Sequence, residues 1–92
     1  MPLTQRITFK TVLKKKNQVQ VPKLFRWQYK MEPSEILKIT VRVEGALGVK
    51  ENFLGKMHKD GRIVIPKMQL ALLRGKEPSL EGYALEVTLE PT

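Results

Sequence analysis

The 92-residue chain contains no cysteine, one histidine and one tryptophan. The absence of cysteine excludes disulfides, cysteine-ligated zinc and thiol catalysis, and it is compatible with an intracellular protein. His58 has no second histidine or cysteine with which to bind a metal, so we expect it to be solvated beside a turn. Ser34 and Ser79 lie in predicted turns without a neighbouring base, and no phosphate-binding loop or paired-carboxylate motif is present. The sequence therefore predicts a protein that is not an enzyme and needs no cofactor or metal.

Long apolar runs are missing as well. No stretch approaches the roughly 20 apolar residues of a membrane-spanning helix. The first ten residues, MPLTQRITFK, hold no apolar signal-peptide segment. We therefore expect a cytoplasmic protein with no membrane partner. At 92 residues and 41% hydrophobic content, the chain suits one domain with one modest core.

Acidic residues are absent from the first third of the chain, although the formal net charge of the whole is +8. The first 31 residues hold these basic side chains: Arg6, Lys10, Lys14, Lys15, Lys16, Lys23, Arg26 and Lys30. The segment from Lys56 to Lys76 is also basic, with Asp60 as its single acid. Such a separation is typical of a face that binds a polyanion. The alternative is a solvated basic surface that keeps the protein soluble.

A stretch of 14 residues occurs twice, as NQVQVPKLFRWQYK (17–30) and GRIVIPKMQLALLR (61–74). The prolines Pro22 and Pro66 are 44 positions apart, and their neighbours correspond at the same offset. A half-domain of about 40 residues could hardly bury a core alone, so we expect the two half-domains built around these stretches to share one core. The halves span residues 7–43 and 53–90, with a linker at 44–52.

Each half reads as strand, turn, strand, helix, strand. Alternating apolar residues predict strands at 7–14, 18–21 and 39–43, and at 62–65 and 85–89 in the second half. Asn17 and Gly61 both tolerate positive φ, so the same turn is predicted before the second strand of each half. A short helix is predicted after each proline, at 23–31 and 68–73.

The two predicted helices differ in character. In the first, Lys23, Arg26 and Lys30 share one face, whereas Phe25 and Tyr29, with Leu24 and Trp27 beside them, supply the apolar side. Aromatic side chains on a helix more often pack in a core or interface than stack on nucleic-acid bases. The second helix is more apolar, since Leu70 replaces Arg26, and we expect it to be the more buried.

The segments Gly61–Lys67 and Asn17–Lys23 resemble the AbrB-like swapped-hairpin family (the SpoVT/AbrB domain). Its motif is Gly-(Arg/Gln)-(Val/Ile)-x-(Ile/Val)-Pro-Lys, and the resemblance covers nearly the whole chain. Members are normally homodimers whose hairpins interdigitate. With both repeats in one chain, the resemblance implies a mainly β fold with short helices, a small double-psi-like barrel formed as a single-chain pseudo-dimer.

Members of that family bind DNA through basic residues of the first hairpin and the helix start. The resemblance, with the lysines at the strand–turn junction, implies these DNA-binding residues: Lys14, Lys15, Lys16, Gln18, Lys23, Arg26, Lys59, Arg62 and Lys67. The lysines suit phosphates, and the arginines with Gln18 and Gln20 can read base edges. Asn17 and Leu70 depart from the family's glycine and arginine, so an asymmetric footprint dominated by the first half is expected.

The resemblance implies a prokaryotic DNA-binding protein, either a transcription regulator or a nucleoid-associated factor. Antitoxins with the same fold bind a toxin protein, usually through a C-terminal tail, and we expect none here because the chain ends just past its last strand. RNA binding through the same basic face is the other alternative. Self-association through Trp27 or an edge strand is also compatible with the sequence.

Overall fold

The computed structural model describes residues 3–45 and 49–92, and these ranges contain six strands and two helices. In chain order they are β1 (Ile7–Val12), β2 (Gln18–Gln20), α1 (Lys23–Gln28), β3 (Ile36–Val43), β4 (Glu51–Lys56), β5 (Arg62–Val64), α2 (Lys67–Arg74) and β6 (Ala84–Pro91). A 3-10 turn, Lys15–Asn17, separates β1 from β2. Neither helix is long and apolar enough to cross a membrane.

The strands form two antiparallel sheets that exchange strands between the halves of the chain. One sheet has the order β1-β6-β3-β4 and the other pairs β2 with β5. The first strand of each half thus pairs with the last strand of the other. Interchanging the halves leaves both strand orders unchanged, so the topology has a pseudo-twofold axis. The mainly β fold class predicted from the sequence is confirmed.

The pairing register of the four-stranded sheet locates the pseudo-twofold axis and shows one departure from the symmetry. Val41 lies opposite Val87 at the centre of the four-stranded sheet. In the β1–β6 pair, Phe9 lies opposite Val87. Its sequence counterpart Phe53 should therefore lie opposite Val41, but it lies opposite Ile39 instead. Strand β4 is thus displaced by two residues relative to perfect symmetry.

The core lies between the four-stranded sheet and the β2–β5 pair. Its fully buried members are Leu37, Ile39, Ile63, Ile65, Leu85, Leu89, Val19, Val21, Val41 and Val87. Helix α2 buries Leu70 and Leu73, whereas α1 buries no residue completely, so the predicted difference between the helices is confirmed. Phe25 packs edge-to-face on Phe9, with ring centroids 5.8 Å apart.

Several predicted boundaries were wrong by a few residues. Helix α1 ends at Gln28 rather than at Met31 because Lys30 has a φ of +50°, and the Met31 N–H donates to the Arg26 carbonyl at 3.0 Å. A left-handed residue of this kind terminates a helix. Strand β4 begins at Glu51, inside the predicted linker 44–52, of which residues 46–48 lie outside the described residues.

The outer face of the four-stranded sheet carries ion pairs. Both Glu86 carboxylate oxygens accept hydrogen bonds from Arg42, each at 2.9 Å, and so join β6 to β3. Lys10 approaches Glu44 at 2.9 Å. The hydrogen bonds from Arg42 hold the pKa of Glu86 below its usual value, although partial burial opposes the shift. These acids are therefore paired on the face opposite β2 and β5.

Leu89 tests the assignment of the core. Its side chain is fully buried between Ile7 and Ile39 of the neighbouring strands. Leu89→Ala should lower the free energy of unfolding by about 2–5 kcal/mol because it leaves a cavity. Leu54→Ala is the matched control: its side chain on β4 is 68% exposed, so the change should stay under about 0.5 kcal/mol. Urea denaturation gives both values, and equal losses would contradict the assigned inner face.

The Arg42–Glu86 pair predicts a pH-dependent contribution to stability. The folded-state pKa of Glu86 is lowered from 4.5. The stabilisation is therefore fully present above the unfolded-state pKa and is lost as pH falls through the folded-state pKa. The difference in unfolding free energy between wild type and Glu86→Gln should be largest near neutral pH and shrink in acid. In an Arg42→Gln background the difference should depend less on pH, because only the weaker attraction of Lys10 still lowers the pKa of Glu86; an unchanged dependence would show that Arg42 is not the cause.

Candidate nucleic-acid interface

Strands β2 and β5 form a short two-stranded ribbon whose two faces have different chemistry. Val19 lies opposite Ile63, and both side chains are fully buried. Because side chains alternate along a strand, the flanking residues Gln18, Gln20 and Arg62 lie on the outer face. We call this pair, residues 18–20 and 62–64, the ribbon. Its outer face presents two amides and a guanidinium, which donate hydrogen bonds, together with the exposed side chain of Val64.

Reciprocal backbone hydrogen bonds join each end of the ribbon to the turn of the other half. The Val21 N–H donates to the Gly61 carbonyl at 2.9 Å, and the Ile65 N–H donates to the Asn17 carbonyl at 2.8 Å. These two bonds are related by the 44-residue offset of the repeat. Each turn therefore lies beside the point where the other half's helix begins.

The predicted left-handed turns are confirmed. Asn17 has a φ of +59° and Gly61 has a φ of +86°. Lys16 is also left-handed, with a φ of +63°, so the first turn follows a 3-10 path. This conformation presents consecutive lysines, Lys14 to Lys16, as exposed side chains at the end of β1.

The exchange of strands regroups the sequence-predicted residues by ribbon end rather than by half. One group, the lysine end, combines the first turn with the start of α2: Lys14, Lys15, Lys16 and Lys67. The other, the arginine end, combines the second turn with α1: Lys23, Arg26, Lys59 and Arg62. Gln18 lies on the ribbon next to the lysine end, where its carbonyl accepts a hydrogen bond from the Lys14 N–H at 2.8 Å, and its side chain reaches Arg62 of the other group. Each end of the ribbon therefore takes four basic side chains, drawn from both halves of the chain.

Arg62 is held in place at the arginine end. Its Nη1 donates to the Gln18 Oε1 at 3.2 Å, and its Nε lies 2.5 Å from the Asp60 Oδ2. Burial alone would raise the pKa of Asp60, but the Arg62 N–H and guanidinium outweigh this and lower it. Gln20 Nε2 donates to the Asp60 carbonyl at 2.6 Å. Asp60 thus stays ionised, orients Arg62 and reduces the net positive charge of this end.

Arg26 has a packing role that sequence reasoning missed. A Cβ added at Gly61 would lie 2.6 Å from the Arg26 Cζ and Nε, so the guanidinium rests directly on the turn backbone. The Nε is buried and has no hydrogen-bond partner among the described residues. Arg26 is therefore half-buried between α1 and the second turn, whereas the predicted lysines are exposed. The available signal in the sequence was Gly61, which stands where the first half has Asn17.

The predicted apolar side of α1 was wrong for two residues. Trp27 is 80% exposed and Leu24 is 64% exposed. Phe25 and Tyr29, four positions apart on one helical face, pack against the core instead. With only six residues, α1 directs one narrow face inward, so Leu24 and Trp27 remain in solvent and Trp27 does not pack on the other half.

The surface suits electrostatic binding rather than metal chemistry. The described residues contain no group of three or more His, Asp or Glu side chains that could hold a metal ion. The lysine end has no acid in its turn, residues 14–17. Exposed ammonium groups of this kind can neutralise phosphates of a polyanion.

Comparison with known proteins shows the fold and leaves the function open. No protein-family model matches the chain, and no curated protein matches it. The solution structure of PHS018 from Pyrococcus horikoshii is similar, with a TM-score of 0.68 and 22% identity over 99% of this chain and 94% of that one. At this identity the similarity supports the small mainly β fold alone.

The contact between Arg26 and Gly61 makes a prediction about stability. Gly82 has a φ of +87°, almost the same as that of Gly61, but nothing lies within 4 Å of an added Cβ. Gly82→Ala should therefore show only the backbone strain, about 1–2 kcal/mol. Gly61→Ala should cost about 1–3 kcal/mol more through overpacking.

The Gly61→Ala variant has an internal control. Adding Arg26→Ala removes the clashing guanidinium and leaves, of the three nearest atoms, only the Gln20 Nε2, which is 2.7 Å from the added Cβ. The double variant should therefore be less destabilised than the sum of its two single variants. Thermal or urea unfolding of the four proteins measures this coupling. If Gly61→Ala and Gly82→Ala have the same cost, the guanidinium does not limit the space at Gly61.

Proposed function

We propose that this chain is a DNA-binding protein of the AbrB-like swapped-hairpin type, built as a single-chain pseudo-dimer. It acts as a transcription regulator or as a nucleoid-associated factor. The observation that carries the proposal is a two-stranded ribbon with Gln18 and Arg62 on its outer face and basic turns at both ends. The exchange of first and last strands between the halves supports the swapped-hairpin assignment.

The dimensions of the ribbon fit a groove of duplex DNA. Three residues per strand give a length of about 10 Å. The major groove, about 12 Å wide, admits a two-stranded ribbon. Amide and guanidinium groups hydrogen-bond to base edges there, and Gln18 with Arg62 are the proposed readers. The hydrogen bond between them limits their rotamers before DNA binds, which reduces the entropy lost on binding.

The lysine and arginine ends supply the phosphate contacts in this proposal. They lie at opposite ends of the ribbon, so they can reach the backbones on both sides of one groove. Acids paired on the outer face of the other sheet, Glu44 and Glu86, do not oppose them. Asp60 is the single acid in the ribbon and its two turns, residues 14–20 and 58–64. The ribbon and its two turns therefore carry a net positive charge.

Salt-dependent binding tests the proposal. We expect a fluorescein-labelled duplex of random sequence to bind in anisotropy titrations. If six to eight phosphates are neutralised, log K should fall against log salt concentration with a slope of about −5 to −7. The triple variant Lys15→Ala/Lys16→Ala/Arg62→Ala should bind at least about 10-fold more weakly at moderate salt, with a slope less steep by about 2 to 3.

A charge-matched control separates the site from the net charge. Arg6→Ala/Lys38→Ala/Lys50→Ala also removes two lysines and one arginine, so both variants have a formal net charge of +5 instead of +8. Arg6 and Lys50 precede β1 and β4, away from the turns, and Lys38 lies on β3. Equal weakening by both variants would refute the site, and no binding at low salt would refute the function. Tighter binding of single-stranded RNA in competition would favour the RNA alternative.

The exposed apolar side chains of α1 favour a protein partner as the second candidate. Trp27 and Leu24 are the observation behind it, because large apolar side chains exposed together often mark contact surfaces. In this case the partner is a toxin-like protein or a second copy of the chain. Sedimentation of the purified protein distinguishes a second copy, which Trp27→Ala should dissociate.

A further inference from the structure

An open cavity of about 350 Å³ lies beside α2, between the first turn and the loop that leads to β6. Its floor is apolar, formed by the buried side chains of Leu13, Leu70 and Leu80. This volume is at the lower end of the range of about 300–1,000 Å³ typical of small-molecule sites. The space is therefore large enough for a small ligand.

The same place in the other half of the molecule is filled. There the guanidinium of Arg26 rests on the backbone of Gly61. The corresponding residues at the cavity, 44 positions away in sequence, are Leu70 and Asn17, and both line it. Leucine is too short to reach across as arginine does. The two departures from the repeat motif thus form one local change, which leaves the space beside Asn17 and Leu70 open.

The loop after α2 provides the far wall. The offset between the halves is 44 at Lys30 and Arg74 but 46 at Ile39 and Leu85, so this loop has two additional residues. Pro78 and Leu80 of the loop line the cavity. The Gly82 N–H donates to the Leu13 carbonyl at 2.8 Å, which fixes the end of the loop to the cavity floor.

The rim of the cavity is positively charged. It carries Lys14, Lys67 and Arg74 against the single carboxylate of Glu81. In the part of the chain that the structure describes, neither lysine takes part in an ion pair. Arg74 Nη1 donates to the Glu77 carbonyl at 3.0 Å, which holds its guanidinium near the rim. The site thus combines an apolar floor with an excess of cations.

We propose that this cavity binds a small amphipathic anion, with an aromatic or aliphatic body on Leu13, Leu70 and Leu80 and its acidic group at Lys14 and Lys67. A neutral ligand would leave the cations without an anionic partner, and a fully polar anion would leave the apolar floor exposed to water. The proposal does not depend on nucleic-acid binding, because the probe is tested with the protein alone.

The probe is 8-anilinonaphthalene-1-sulfonate, an aromatic anion whose fluorescence rises in apolar surroundings. We expect saturable one-site binding to the native protein. Leu70→Arg installs the residue of the other half and should weaken binding at least about 10-fold by filling the space. Charge alone predicts the opposite result, since the added cation would attract the anion. Lys67→Gln should also weaken binding, whereas Trp27→Ala, on the other helix, should not.

Two measurements keep the test decisive. Unfolding curves show whether Leu70→Arg remains folded; if it does not, Ala71→Trp adds bulk at an exposed residue that lines the cavity, so the large ring can occupy the space without replacing a core side chain. Undiminished binding by the folded filling variant would overturn the proposal. So would a loss of equal size in Trp27→Ala, which would assign the probe to the exposed surface of α1, or a wild-type protein that does not bind the probe.

Discussion

Backbone hydrogen bonding between the two halves is the constraint on which the rest of the structure depends. Each half's first strand has the other half's last strand as a partner, and β2 has β5. Without the other half, these edges would be unpaired. The reciprocal bonds from Val21 to Gly61 and from Ile65 to Asn17 fix the helix of one half beside the turn of the other. Every surface formed there is therefore composite, and no charge cluster near the ribbon belongs to one repeat alone.

This composite arrangement explains why the turn residue and the helix residue both differ between the two halves. Arg26 can pack on the second turn only because Gly61 has no side chain. At the first turn Asn17 provides a side chain, and Leu70 takes the place of the arginine. Within the first half, no packing reason links Asn17 to Arg26. Within the second half, none links Gly61 to Leu70. Across the halves, glycine meets the long side chain, which packs on the turn, and asparagine meets the shorter one, which leaves the cavity beside the other turn.

The strand faces could be predicted because burial follows a period of two, and Val19, Ile63 and Leu85 are all fully buried as that alternation indicates. Which strands pair could not be derived from periodicity, since the pattern specifies a face and not a partner; the exchange of strands was implied only by the family resemblance. The exposure of Trp27 was missed because propensity does not reveal how narrow a face a six-residue helix buries. The clusters at the ribbon ends needed the fold, because they join residues 33 to 53 positions apart in the sequence.

The lysine end and the cavity meet at two side chains, and this connects the two proposals. Lys14 and Lys67 belong to the basic surface beside the ribbon and also to the rim of the cavity. An anion in the cavity would neutralise charge that a DNA phosphate would otherwise meet, and DNA would in turn weaken the anion, because coupling between two binding sites is reciprocal. At the arginine end the guanidinium of Arg26 lies against Gly61, in the place that corresponds to the cavity. Under both proposals, any effect of a small anion on DNA binding would therefore act at the lysine end of the ribbon.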